Sequence, residues 1–350
     1  MKILFWLMLG CLPIPSMASL FFVSPLGDDT KSGTSPSNAK KSIQLIVEIM
    51  RPGDTLRLLP GTYTQNIETV RSGSADAPIS IVGTDDSKLV GNEKNRNRVV
   101  AISHSYIRLE GFEINGLAGS PQLKSNFANK LIYVAAKTGH QLQGIQIKSL
   151  KVSNARGECI RFKNVSLSLI ANNHITHCGI EDYKFSGGQQ NGEAIYIGTA
   201  PEQLPLGKVD ESVFNHVVGN QINVYGSECI DLKEGANYTR IFYNYCANAL
   251  AHRSGAISIR SSNNLVKYNT IVSNQGAGIR IGADVESLAI NNIVEHNELI
   301  ENQHSAIKIM NWPQANVCKN KIQGNNRTKA IRVGPGIDGS SIVRCNYYAK

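Results

Sequence analysis

Lys233 and Arg260 are the two residues from which a chemical reading of this chain can start. Each lies three residues after an isoleucine, Ile230 or Ile257, in the short apolar segments CIDLKE and AISIRS. Side chains alternate along a strand, so inward isoleucines on adjacent strands leave both cations outward, side by side about 4.8 Å apart. Two cations that close repel, which costs stability unless an anion bridges them. The repulsion should also lower the lysine pKa and leave an amine able to take a proton. Acidic residues accompany them: Glu158, Glu193 and Glu228 each stand two residues before an isoleucine of the same kind. Stacked carboxylates repel in turn, and a hard cation such as calcium relieves them. Glu193, Glu228 and Asp231 are the expected metal ligands, with Asp231 alternatively a salt-bridge partner of Arg260.

The elements that must position these residues repeat. GECIRF, NGEAIYIG, SGAISIR, GAGIRIG, SAIKIM and KAIRVG match the segment around Ile230, with central residues Ile160, Ile195, Ile257, Ile279, Ile307 and Ile331. Stacked in register they predict one apolar column. The outward row is then Arg161, Tyr196, Asp231, Ser258, Arg280, Lys308 and Arg332, and the next row holds Lys163, Lys233 and Arg260. A second periodic signal is an asparagine two residues before an apolar position. After Asn220 it recurs at intervals of 24, 25, 28, 23 and 26 residues. Regular coil lengths mark a solenoid, and asparagines at its turns can stack into a hydrogen-bonded ladder. The expectation is an all-β, single-domain right-handed parallel β-helix over residues 19–350. Residues 19–67 form its amino-terminal cap, with an amphipathic helix at about 42–50 covering the first coil. Two intervals widen: Ile160 to Ile195 and Ile195 to Ile230 are each 35 residues, against 22 to 28 later. The surplus, at 178–191 and 199–213, should wall a cleft beside the strands.

Residues 1–18 read as a cleaved secretory signal: Lys2, an apolar run from Ile3 to Leu12, and small residues at Ser16 and Ala18. The mature protein is therefore expected outside the cytoplasm, secreted or periplasmic, free of the membrane and monomeric. Formal net charge is +9. This favours a polyanionic partner, and without any nucleic-acid-binding motif an acidic polysaccharide fits better. Six cysteines remain after the signal. An oxidising compartment permits disulfides among them, but their pairing cannot be read from sequence, and small buried turn residues are the alternative.

Paired cations beside a carboxylate stack suit β-elimination on a uronic acid polymer. The sugar carboxylate must be neutralised before the proton on the adjacent ring carbon becomes acidic. Lysine would take that proton, arginine would steady the enolate or the leaving oxygen, and calcium would neutralise the carboxylate. Arg161, Tyr196, His252, Arg280 and Lys308 are expected to hold the chain.

The run NGEAIYIGTA, ECIDLKEGANYTRIFYN, SGAISIRSSNNLVKYNTI and GAGIRIG resembles polysaccharide lyase family 6, which contains alginate lyases and chondroitinase B. The resemblance covers about 90 residues. It implies a catalytic lysine at Lys233, a catalytic arginine at Arg260, a calcium ligand at Glu228, and an asparagine ligand at Asn220 or Asn223. Departures are Gly226, where the family has a second glutamate, and a longer interval between the lysine and the arginine. The same stretch is also similar to family 9 pectate lyases; that resemblance implies calcium ligands among the acidic residues near Glu228 and Asp231 and a base from a later coil, with no role for Lys233. Outside these lyases, a hydrolase using Asp231 with Glu228 and a non-catalytic glycan-binding solenoid are the competing classes. Trp312 reads as core or edge packing.

Overall fold

The computed structural model describes residues 18–349 apart from 93–94, 138, 187–190, 286 and 325–329. The expected signal segment thus lies outside the described residues except for Ala18. Three parallel sheets run the length of the molecule, each coil contributing one strand to each. One has 10 strands from Leu20–Val23 to Ile293–Glu295, and another has 11 from Gly61–Thr64 to Tyr347–Ala349. The third, the site sheet, has 10 strands from Ile67–Glu68 to Ile331–Val333. The chain is a parallel β-helix, as the periodicity requires.

Ile160, Ile195, Ile230, Ile257, Ile279, Ile307 and Ile331 are direct partners on successive strands and are all buried. β-Branched side chains suit this column, because each packs on the identical residue above and below on a pleated surface. The asparagine ladder forms too. Asn173, Asn220, Asn244, Asn269, Asn297 and Asn320 each donate a side-chain N–H to the side-chain carbonyl of the next, at 2.9–3.0 Å, and the ladder ends on Asn346. It serves the buried backbone groups of one corner, which no strand can pair.

At the amino-terminal end the helix Ile43–Ile49 lays Ile43, Ile46 and Val47 on the first coil. Asp29 fixes its start by accepting from the Ser42 N–H and hydroxyl, while the Gln65 side chain accepts from the Ile43 N–H. No helix among the described residues is long and apolar enough to cross a membrane.

All six cysteines among the described residues are paired: Cys159–Cys178, Cys229–Cys246 and Cys318–Cys345. The first two tie the strands that begin at Ile160 and Ile230 to the roots of the loops at 178–191 and 247–253. Replacing Cys229 and Cys246 together with alanine should lower unfolding stability by about 2–4 kcal/mol. Denaturant melts of the oxidised wild type and the double variant check this, and coincident curves would contradict it.

Candidate functional site

The site sheet presents its outward face between two walls. On one side stands the short helix Ile180–Tyr183, with Asn191 and the segment Leu250–Ser254. On the other stand Ala200, Glu202 and Gln203. Buried Asp210 pins the second wall, accepting from Thr199 Oγ1, Ser212 Oγ and the Asn164 N–H. Glu181 braces the first through Lys124 at 3.1 Å and Arg156 at 3.4 Å. Between them lies a cleft of about 1030 Å³. Its floor runs from Lys130 and Tyr133 through Arg161, Tyr196 and Lys233 to Arg260 and Arg280.

Of the sequence-expected residues, Arg161, Glu193, Tyr196, Glu228, Lys233, His252, Arg260 and Arg280 line this one cleft. Lys308 sits beside Arg280 on the next strand, outside the walled part. Trp312 is 44% exposed, so it is not a core residue.

Lys233 and Arg260 occupy adjacent coils in one row, the Arg260 N–H donating to the Leu232 carbonyl and the Lys233 N–H to the Ile197 carbonyl. Gly198 precedes Lys233 in that row. Its φ of +93° suits glycine, and a Cβ there would come within 3.2 Å of the Lys233 Cβ. The expected lowering of the lysine pKa is overturned. Burial disfavours the charged amine, but Asp231 lies 2.7 Å away and its charge outweighs both burial and the repulsion of Arg260. Lys233 is thus held above the ordinary lysine range. The partner of Asp231 is Lys233, not Arg260. Arg260 is instead drawn toward Glu234 at 3.9 Å and Asp284 at 3.7 Å.

The carboxylates divide into two groups. Glu158 is neutralised by Lys130 at 2.7 Å and Arg161 at 3.0 Å. Burial works against its ionisation, yet the two cations keep its pKa below the usual range. It therefore leaves the expected metal stack. Glu193, Glu228 and Asp231 remain, all buried, each offering an oxygen within 4.8 Å of the others. Burial and the neighbouring carboxylates push Glu193 up to about 8, and burial with Asp231 pushes Glu228 up to about 7. Asp231 is held low, with Lys233 and Arg260 overriding its burial.

Neither oxygen of buried Asp231 completes a hydrogen bond, since the Lys233 contact has ion-pair distance without hydrogen-bond alignment. Three crowded carboxylates with lone pairs to spare, two of them with raised pKa values, fit a hard cation. The asparagines do not join them. Asn220 spends its side chain in the ladder, and Asn223 lies on another sheet accepting from Asn248.

Tyr196 is 4% exposed, with the Arg161 guanidinium 3.5 Å from its ring centre and Lys233 Nζ 4.8 Å away. Burial keeps its phenol protonated despite both cations. Lys130, Tyr133 and Tyr183 also line the cleft, and sequence reading missed them. Lys130 and Tyr133 belong to a strand whose centre is Ile132, not glycine-led like its neighbours. Only the partnership of Ile132 with Ile160 exposes them as the next members of the rows.

The raised carboxylates set a pH dependence. A folded-state pKa above the ordinary value contributes stability that is complete at low pH and lost as pH rises through the folded pKa. Without metal, thermal stability should therefore fall between pH 5 and 8, the interval in which Glu193 and Glu228 ionise. Calcium binds the ionised form, so it should raise the melting temperature at pH 8 and have little effect at pH 5. Differential scanning fluorimetry with calcium or a chelator checks both. A calcium response equal at the two pH values would count against the site.

A family model described as protein of unknown function (DUF1565) matches residues 26–235, more than half of the chain, and one described as right handed beta helix region matches residues 177–346. No curated protein matches the sequence. The chain is similar in fold to the alginate lyase from Paenibacillus sp. str. FPU-7, at 17% identity and a TM-score of 0.65 over 88% of this chain and 95% of that one. It is also similar to pectate lyase Pel9A, at 14% identity and 0.58 over 95% and 75% of the two chains. A rhamnogalacturonan lyase gives 13% identity and 0.53 over 95% and 87%. The chain belongs to the DUF1565 family, and its architecture is a right-handed parallel β-helix.

Proposed function

We propose that this protein is a secreted or periplasmic polysaccharide lyase that cleaves a uronic acid polymer, alginate foremost, by β-elimination. The observation that carries the reading is the single cleft in which Lys233, Tyr196 and Arg260 stand over the carboxylates Glu193, Glu228 and Asp231. Fold neighbours named as alginate, pectate and rhamnogalacturonan lyases agree with it.

In the reaction Lys233, once deprotonated, takes the proton from the ring carbon next to the sugar carboxylate. The electron pair left behind forms a double bond to the neighbouring carbon, and the bond from that carbon to the glycosidic oxygen breaks. Tyr196, protonated beside Lys233, can return a proton to the departing oxygen. Arg260 and Arg280 supply fixed positive charge toward the enolate, in a cleft walled on two sides. Glu193, Glu228 and Asp231 would hold calcium, which when bound supplies further positive charge against the sugar carboxylate. Asp231 opposes loss of the Lys233 proton and Arg260 favours it, so turnover should rise toward alkaline pH.

Incubation with alginate, polygalacturonate and chondroitin tests the reading. A growing ultraviolet band from an unsaturated uronate on one of them is expected. Reducing ends without that band would mean hydrolysis, and neither signal would mean a binding protein.

A further inference from the structure

The walls of the cleft stand at the two ends of the site-sheet strands, one where strands begin and one where they finish, so the groove between them runs along the solenoid axis. Beyond its walled part the outward row continues without interruption. Arg280 partners Lys308, and Lys308 partners Arg332, on successive strands about 4.8 Å apart. His304 extends the group, 2.8 Å from Arg332. The charged groups that face Lys308 are Arg280 and Arg332, both cations. Arg280 spends one N–H on the Gly282 carbonyl and keeps the rest of its guanidinium in the cleft. Among the described residues none of the three makes a salt bridge to a carboxylate; cations stacked at this spacing repel, and a matching row of anions would relieve them.

The rise per coil is close to the length of one sugar in an extended polysaccharide. We infer that Arg280, Lys308 and Arg332 form a ladder that holds consecutive sugars of a polymer carrying a carboxylate on every residue. The chain lies along the solenoid axis and leaves the cleft over its carboxy-terminal coils. This rests on the lyase reading for which end of the cleft cuts, but not for whether the ladder binds. It selects contiguous polyuronates over polymers that alternate an acidic with a neutral sugar, because alternation would leave every second rung unpaired.

Titration calorimetry tests it, using the Lys233→Arg variant as a non-cleaving background, with uronate oligomers from dimers to octamers and with hyaluronan fragments as the alternating control. Affinity for the homopolymer should grow with length, and hyaluronan of equal length should bind more weakly. Replacing Lys308 and Arg332 together with alanine should weaken octamer binding about tenfold and leave dimer binding unchanged, as two partly exposed ion pairs would. Lys308→Gln with Arg332→Gln repeats the test with less change in volume. An octamer affinity untouched in both double variants, or equal binding of hyaluronan, would overturn the ladder. Length-dependent binding with no unsaturated product from the wild type would sink the lyase reading and leave the ladder standing.

Discussion

Lys233→Arg should fold like the wild type and lose turnover on uronate polymer by about 10²–10⁴-fold, the usual contribution of a positioned proton acceptor. Arginine keeps a cation against Asp231 but cannot give up its proton in a protein. Lys233→Ala is the poorer probe. From sequence an outward lysine carries little folding energy, yet this one neutralises a carboxylate that is only 1% exposed. Removing it leaves a buried charge without its partner and should cost about 3–5 kcal/mol besides the activity. Steady-state rates and thermal melts of both variants separate the two effects. A Lys233→Arg variant as active as the wild type would place the base elsewhere in the cleft.

Asn269→Ala should be among the most destabilising single changes outside the site. The Asn269 side-chain carbonyl accepts from both the backbone and side-chain N–H groups of Asn244, at 2.9 and 3.0 Å. Its amide donates to the carbonyls of Ile241 and Lys267 and to Asn297. Every one of these groups sits in or beside a buried corner that strand pairing does not serve. Each buried polar group stripped of its partner costs about 1–3 kcal/mol, so the loss should reach about 3–5 kcal/mol. Urea unfolding measures it, and a loss below about 1 kcal/mol would mean that the ladder decorates the corner without supporting it.

The fold was legible because a solenoid repeats its instructions. One inward isoleucine and one corner asparagine per coil set the two columns, and both formed in the register that their spacing implied. The membership of the cleft was legible for the same reason, since residues at fixed offsets from those isoleucines must share a face. Charge balance was not. Repetition places Lys233 beside Arg260, but whether its pKa falls or rises depends on which rotamer Asp231 adopts two residues earlier, and nothing periodic encodes that.

Glu158 shows the same limit. It shares the offset of Glu193 and Glu228, yet Lys130, reaching over from a strand with a different sequence signature, removes it from the metal cluster. The corners also hid their aromatic residues. Phe214, Tyr238, Tyr243 and Tyr268 all take positive φ, a conformation ordinarily left to glycine and asparagine. Stacking of Phe214 on Tyr238 and of Tyr243 on Tyr268 between successive coils helps offset that strain.

Cleavage in water enriched with heavy oxygen tests the chemistry most directly, because the crowded carboxylates Glu193 and Glu228 could also activate water for hydrolysis. Elimination breaks the bond between the glycosidic oxygen and the ring carbon that joins the new double bond, leaves that oxygen on the anomeric carbon of the departing sugar, and adds no water. Mass spectrometry should therefore find fragments that carry a double bond at the new non-reducing end and no isotopic label fixed at the cleaved bond. Saturated fragments with one labelled oxygen at the cleaved bond would contradict the assignment of Lys233 and Tyr196 as the proton-transfer pair.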